Sequence, residues 1–501
     1  MLAFAVYRNG EALEKWPAEA GKQAWCLYLA DSTGRPRESS CDFDYARLAV
    51  HCPEAVERRL FTRYPMPSFG DPILRTRLLT SGRKLRSLSV ELALGRLELI
   101  DEQSGRGGAA SDKLSRQIEH ARALAVRAQE MDAAGERAAA AAVADESLDI
   151  SVPAGEALAL EAAQAGLQRR RDANELSGFL FGCTAVGADA PEKRRKHYLE
   201  LFNYCTIGFY LNGMEPEAGV VRHEPAMAIA QDLHSHGFQL KGHPLVWTYS
   251  PCLPPHRRGL DFSACCDAAR ERIERDVPPF NGLIRYWDVI NEAHDVPWAN
   301  SFGFNSEQMI ELTGLAAAVT RRKASPDAKL VVNVCLPFGE YAAGAPGRAT
   351  TLEYVRGCID AGVDFDIIGI QFYFGGGLFQ YCWDMLEISR ILDEYAVLGK
   401  EIHITELGTP SAMGPDPNAL ISEDNLVGFW HREWSENTQA DWVEQFYNIC
   451  MAKPAINALT WWSFSEFGHV FWPHSGLLNR QDDPKEAFHR LLELRKLTVD
   501  Q

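Results

Sequence analysis

The sequence predicts an α/β protein: a (β/α)8 barrel preceded by a β-rich, sandwich-like domain and a helical connector. Three observations carry that expectation. From residue 176 onward, eight short apolar runs alternate with stretches patterned as helices. Polar residues gather at the C-terminal ends of several of those runs. Ahead of them, residues 1–110 hold strand-like pieces punctuated by Gly, Pro and Ser, and residues 111–175 are rich in Ala, Glu and Arg.

In the first region, "AWCLYLA", "RLAVHC" and "LSVELALGRLELI" read as strands of an accessory domain that is a candidate for carbohydrate binding. In the connector, "KLSRQIEHARALAVRAQEMDAAGERAAAAAVADE" and "GEALALEAAQAGLQRRRD" read as two helices, with apolar residues near helical spacing. Residues 176–497 supply the barrel. Its strands are expected at "GFLFGCTAV", "IGFYLNG", "FQLKGHPLVW", "IRYWDVIN", "AKLVVNV", "FDIIGIQFYF", "EIHITELG" and "INALTWWSF". Segments such as "HEPAMAIAQDLHSHG" and "TTLEYVRGCIDAG" lie between them with the pattern of amphipathic helices. An open doubly wound sheet fits less well, because no Gly-x-Gly-x-x-Gly turn follows an early strand.

Composition narrows the function classes. Hydrophobic residues make up 46% of the 501 positions and charged residues 24%, as in ordinary globular proteins. A formal net charge of -17 argues against nucleic acid or an anionic membrane as partner, since both need clustered Lys and Arg. No apolar run is long enough to span a bilayer, and the first residues lack a basic, then apolar, leader pattern, so a cytoplasmic location is expected. The 12 cysteines are scattered without a Cys-x-x-Cys pair, which favours reduced, packed thiols. The histidines show no metal-binding spacing, so neither a metal nor a cofactor is expected. Oligomeric state is left open.

On a (β/α)8 barrel, the C-terminal strand ends face the site of chemistry. Strand three ends in His243 and Trp247, and strand four, "WDVINE", in Asn291 and Glu292. Strand six ends in Gln371 and Tyr373, strand seven in Glu406, and strand eight in Trp461 and Trp462. An isolated "WDVINE" could be a strand tip entering solvent. Two glutamates three βα units apart, in register with amides and aromatics, form a more specific set. Breaking a glycosidic bond needs one carboxyl to protonate the leaving oxygen, and a second to attack the anomeric carbon or to activate water. Aromatic rings stack on sugars and amides bind their hydroxyls, so the expected partner is a carbohydrate.

The stretches "LKGHPLVW", "WDVINE", "ITELGTP" and "LTWWSFSE", followed by "GLLNRQDDPKEAF", resemble the successive motifs of the family 10 glycoside hydrolases, mostly β-1,4-xylanases. The resemblance spans residues 176–495 in the family's order, and "FNYCTIGFYLNGMEPE" is similar to its strand-two segment. It implies a retaining double displacement with Glu292 as acid/base and Glu406 as nucleophile. Asn291, His243, Trp247 and Gln371 would line the cleavage subsite, with Trp462 as stacking platform.

The departures carry the specificity. The family's strand-two Lys falls on Glu215, with Asn212 as the neighbouring Asn. Thr248 stands where a His usually follows the strand-three Trp. The family's Gln-x-His and Glu-Leu-Asp become Gln371-Phe372-Tyr373 and Glu406-Leu407-Gly408. Tyr373 is expected to donate its hydroxyl to Glu406 in place of the missing His and Asp, and Glu215 to make the pocket more acidic. Trp298 and Trp472 are expected as sugar platforms. Aromatic loops after strands four, seven and eight could close a pocket, which favours an exo-acting or small-glycoside variant. The expectation is a xylanase-like O-glycoside hydrolase with altered subsites. The competing reading is a carbohydrate-binding protein with weak or no catalysis.

Overall fold

The structure is a computed structural model that describes residues 1–14, 26–52, 56–82, 84–107, 110–294, 298–344, 347–376, 380–421, 428–468 and 470–498. The N-terminal region holds two small sheets. One has the order Leu85–Ser87, Leu2–Ala5, Arg47–His51, Ser40–Asp44. The other runs Leu79–Thr80, Glu57–Arg63, Tyr28–Ala30, Pro36–Arg37, with Ile73–Arg75 also paired to Glu57–Arg63. Burial follows the two-residue period where one face is wet: Leu48 and Val50 point inward while Arg47 and His51 are exposed.

The segment "LSVELALGRLELI" is not a strand. It opens a helix, Leu88–Gly107. Leu, Ala and Glu are strong helix formers, and burial of Leu88, Leu92, Leu99 and Ile100 against sheet and helices overrides the short alternation that suggested a strand. Gly95 lets this helix lie directly on the edge of the sheet, because a Cβ there would collide with the Arg75 carbonyl.

Two further helices span Asp112–Ala133, capped by the Ser111 side chain, and Arg137–Asp172. The break falls at Gly135, whose φ of +89° ends the first helix. The second continues through Pro153, where the sequence suggested a separation. Arg96 braces the turn around that proline. Its guanidinium donates to the carbonyls of Val152 (2.8 Å) and Ser151 (3.3 Å), beside the proline that lacks an N–H. The same group donates to both oxygens of Asp384 at 3.0 and 2.9 Å. A side chain at Gly155 would collide with that guanidinium.

The barrel closes in sequence order: Leu180–Thr184, Tyr204–Gly208, Gln239–His243, Tyr286–Asn291, Lys329–Val334, Ile367–Tyr373, Glu401–Gly408 and Ile456–Trp461. All neighbours are parallel. Helices such as Glu224–Ser235, Ser306–Lys323 and Met385–Ala396 return the chain between strands. The register shifts between Asp288 and Ile290, between Ile370 and Gln371, and between Ile404 and Leu407. Each shift falls at or just before a polar strand end, where a bulge re-aims side chains toward the mouth.

The N-terminal region is tied to the barrel by buried polar contacts. Glu156 accepts from the Trp430 indole (2.9 Å) and the Met385 amide (2.9 Å), and its other oxygen lies 2.7 Å from His431 Nε2. The Asp71 amide donates to the Phe429 carbonyl at 2.9 Å. The loop after strand seven is therefore anchored to the N-terminal region. Replacing Arg96 with Ala leaves the fully buried Asp384 charge without its partner, a loss worth about 3–5 kcal/mol. Denaturant unfolding of Arg96→Ala should show that destabilisation, and the conservative Arg96→Lys should recover part of it.

Candidate active site

Glu292 and Glu406 stand at the ends of strands four and seven and line one cavity of about 750 Å³ at the barrel mouth. Glu292 has a positive φ of +50°, a strained backbone for a residue with a side chain, held by its N–H donating to the Asn333 carbonyl at 2.9 Å. A continuous run of amides joins the two carboxyls. The Gln371 amide donates to Glu292 Oε1 (3.0 Å) and to Asn291 Oδ1 (3.3 Å). The Asn333 amide donates to the same Asn291 oxygen (2.7 Å) and to Glu406 Oε1 (3.3 Å). With its Oδ1 occupied twice, Asn291 turns its NH2 group to other acceptors, and one of its N–H groups supports the Glu292 carboxyl. Thr405 in turn donates to Asn333 Oδ1 and fixes that amide.

The outer oxygens have their own donors. The Tyr373 hydroxyl donates to Glu406 Oε2 at 2.7 Å, and the Trp298 indole donates to Glu292 Oε2 at 3.2 Å. Below them, His243 Nδ1 lies 2.6 Å from Asp288, which also pairs with Lys241 at 2.9 Å, while His243 Nε2 is 3.7 Å from Glu406. Burial lowers the His243 pKa despite Asp288, so the ring is neutral at neutral pH. Burial raises Glu292 against the hydrogen bonds from Gln371 and Trp298. It pushes Glu406 up to about 8, with the Glu292 charge adding to the push and Tyr373 opposing it. Two buried carboxyls held by neutral donors retain a proton between them, as acid–base chemistry at one bond requires.

The altered strand-seven motif has a steric account. A Cβ at Gly408 would sit 2.8 Å from the Trp462 carbonyl and 3.2 Å from the Tyr373 ring. Tyr373 occupies the room that a side chain at 408 would need, so Gly408 and Tyr373 form one substitution. Thr248 donates to the Ala299 carbonyl at 2.7 Å and holds the loop that carries Trp298.

Of the other residues named from sequence, His243, Trp247, Asn212, Trp462, Trp298 and Trp472 also line the cavity. Trp462 meets His243 edge-on with centroids 5.8 Å apart, and Trp472 lies 5.4 Å from Tyr373. Asn212 donates to the Pro251 carbonyl at 3.2 Å. Glu215 is a correction. Its carboxyl is buried away from the cavity, accepting from Arg275 at 2.6 Å and the Gly219 amide at 3.1 Å, with Arg257 at 3.4 Å. A carboxylate followed by Pro216 reads as pocket-facing in a linear alignment, but the single helical turn Leu211–Met214 aims it at these cations. The loop after strand seven is corrected in part: Trp430 and Trp434 are buried in its anchoring contacts, while Leu420 and Ile421 of the same loop line the cavity.

Asn333, central to the amide run, was not anticipated. Its signal was an Asn within the apolar strand "KLVVNV". Glu340, Tyr210 and Trp383 also line the cavity without having been singled out, because they sit on loops or helical turns that carry no periodic pattern.

The sequence profile described as Glycosyl hydrolase family 10 matches residues 175–494. The chain belongs to that family. It is 24% identical over 302 residues to "Endo-1,4-beta-xylanase B" of Thermotoga neapolitana, covering 58% of this chain and 78% of that protein. It is 24% identical over 288 residues to "Anti-sigma-I factor RsgI6" of Acetivibrio thermocellus, covering 56% of this chain but 32% of the relative. The crystal structure of native xylanase 10B from Thermotoga maritima superposes with a TM-score of 0.50 at 21% identity, covering 65% of this chain and 97% of that one. That likeness is one of fold.

The Glu215 cluster gives a prediction with a definite sign. Burial alone would raise this carboxyl, but the Arg275 hydrogen bond, the Gly219 amide and the two arginines hold it at about 2. Its folded value lies below the unfolded one of about 4.3. The stabilisation is therefore complete above pH 5 and lost as pH falls toward 2. Glu215→Gln should destabilise the fold by about 2 kcal/mol at pH 7, with the gap narrowing below pH 4 and closing only toward pH 2 in parallel thermal melts.

Proposed function

We propose that this chain is a retaining β-glycosidase that hydrolyses O-glycosidic bonds in a polysaccharide, an oligosaccharide or a glycoside derived from one. The observation that carries the reading is the amide run from Glu292 through Gln371, Asn291 and Asn333 to Glu406. It fixes two carboxyls of one cavity relative to each other, and the Asn291 NH2 group, which gives one N–H to Glu292, has a second to offer a sugar hydroxyl.

In this mechanism Glu406 attacks the anomeric carbon as Glu292 gives its proton to the departing oxygen. Water then adds to the glycosyl-enzyme as Glu292 takes a proton back, so the bond breaks with net retention. The Tyr373 hydrogen bond, by favouring ionised Glu406, replaces the charged support that the family's usual His and Asp would give. Similarity to proteins named endo-1,4-β-xylanases supports a xylanase-like linkage, and the changes at positions 215, 248, 373 and 408 support altered subsites.

A second reading, carbohydrate binding with weak catalysis, is favoured by one observation: burial and the Glu292 charge push Glu406 up to about 8, which disfavours the ionised form a nucleophile needs. Turnover separates the two.

A panel of β-linked oligosaccharides and polysaccharides, read by product size and by proton NMR of the first-formed anomer, should give hydrolysis with retention. Inversion or no hydrolysis contradicts the proposal. Glu406→Ala should lower turnover by about 10³-fold or more with the circular dichroism spectrum unchanged. Tyr373→Phe removes a hydrogen bond that lowers the Glu406 pKa. It should reduce kcat by about tenfold and move the acid limb of kcat/KM to higher pH. An unmoved limb would remove Tyr373 from the mechanism.

A further inference from the structure

The cavity has two unlike halves. Near the glutamates, aromatic rings such as Trp247 and Trp462 are interleaved with the polar groups Asn212, His243, Asn291 and Gln371. Beyond them, after strands five and six, it is walled by Leu336, Pro337, Phe338, Phe374, Tyr381 and Trp383. Phe338 stacks on Trp383 with centroids 3.9 Å apart and planes 7° from parallel, and Phe61 of the N-terminal region meets Trp383 edge-on at 6.3 Å. This wall ends the cavity against the N-terminal sheet. A second sugar could stack one face on a ring here, but its edge hydroxyls would find few polar partners, at a cost that rises with each unpaired group.

The polar side chains of Gln380, whose Oε1 accepts from the Gly376 amide at 3.0 Å, and Glu340 line this half. Glu340 lines the cavity and is 7% exposed, and its Oε2 has no hydrogen-bond partner among the described residues. An orphaned buried carboxyl oxygen is uncommon enough to require a partner. Burial pushes the group up to about 7, so near neutrality a large share of it is a neutral acid able to donate as well as accept.

Resting on the glycosidase reading, we infer that this half holds a non-sugar leaving group: an aromatic or similarly flat apolar ring, with a hydroxyl that meets Glu340. The substrate class is then a small aryl glycoside. Its anomeric C–O bond breaks, Glu292 protonates the released phenol oxygen, and water completes the sugar product.

Binding to the full-length Glu406→Ala chain tests this without the confounding reactivity of aryl leaving groups. Calorimetric titration would use phenyl β-D-xyloside, 4-hydroxyphenyl β-D-xyloside and xylobiose, with the corresponding β-D-glucosides and cellobiose. In at least one sugar series, both aryl glycosides should bind about tenfold more tightly than the disaccharide, the 4-hydroxyphenyl compound best. Leu336 has a φ of +50°, which Asn adopts readily, so Leu336→Asn should fold. It should weaken the aryl glycosides about tenfold more than the disaccharide, and Phe338→Ser offers the same comparison at a second wall position. Glu340→Leu should erase the preference for the 4-hydroxyphenyl compound while phenyl glycoside binding persists.

Disaccharides that bind as tightly as aryl glycosides in both series would overturn the inference, as would wall variants that weaken both classes alike. Retaining hydrolysis of oligosaccharides by the wild type would then leave the glycosidase reading standing. Absence of both binding and hydrolysis across the panel would overturn both.

Discussion

Two carboxyl groups placed in one water-poor cavity cannot both ionise cheaply, and much of this site's architecture follows from that constraint. Burial raises both, the Glu292 charge adds to the rise of Glu406, and neutral donors oppose each. Gln371 and Trp298 donate to Glu292, Asn333 and Tyr373 donate to Glu406, and the two amides among them both also bond Asn291, which links the carboxyls. The bulges in strands four, six and seven and the strained backbone of Glu292 serve the same end, turning strand-end side chains into one plane of contact. The only full cation nearby, Lys241, is already paired with Asp288 among the described residues.

The N-terminal region contributes to this arrangement from behind. Arg96 joins two of its helices to the barrel through Asp384, and Glu156 holds the loop after strand seven through Trp430 and His431. Phe61 backs the aromatic wall of the cavity. These contacts make the region a builder of the site's far end. A free-standing sugar-binding module would not need its aromatic residues buried against the barrel.

The barrel was legible because eight apolar runs at regular spacing leave few other topologies, and polar residues at their ends mark the active face. Glu292, Glu406, Asn291 and Gln371 could be named because each breaks an apolar strand at its C-terminal end. Tyr373 was legible as a replacement donor because two departures from one motif coincide. Other features were hidden for physical reasons. The helix at Leu88–Gly107 contains a run whose alternation imitates a strand, and only its neighbours settle the matter. The side chain of Glu215 is turned by a single helical turn, a feature with no period to read. Glu340 and Trp383 reach the cavity from loops and helix entries, where spacing along the chain carries no spatial information.

The central claim is that Glu406, set by Tyr373 and the amide run, attacks the anomeric carbon. Incubating the full-length protein with an activated 2-deoxy-2-fluoro β-glycoside slows release of any glycosyl-enzyme, and mass spectrometry of its peptides then locates the bond. The account predicts a stoichiometric sugar adduct on Glu406, within the peptide that spans strand seven. An adduct on Glu292, or hydrolysis of the probe with inversion and no adduct, would contradict it.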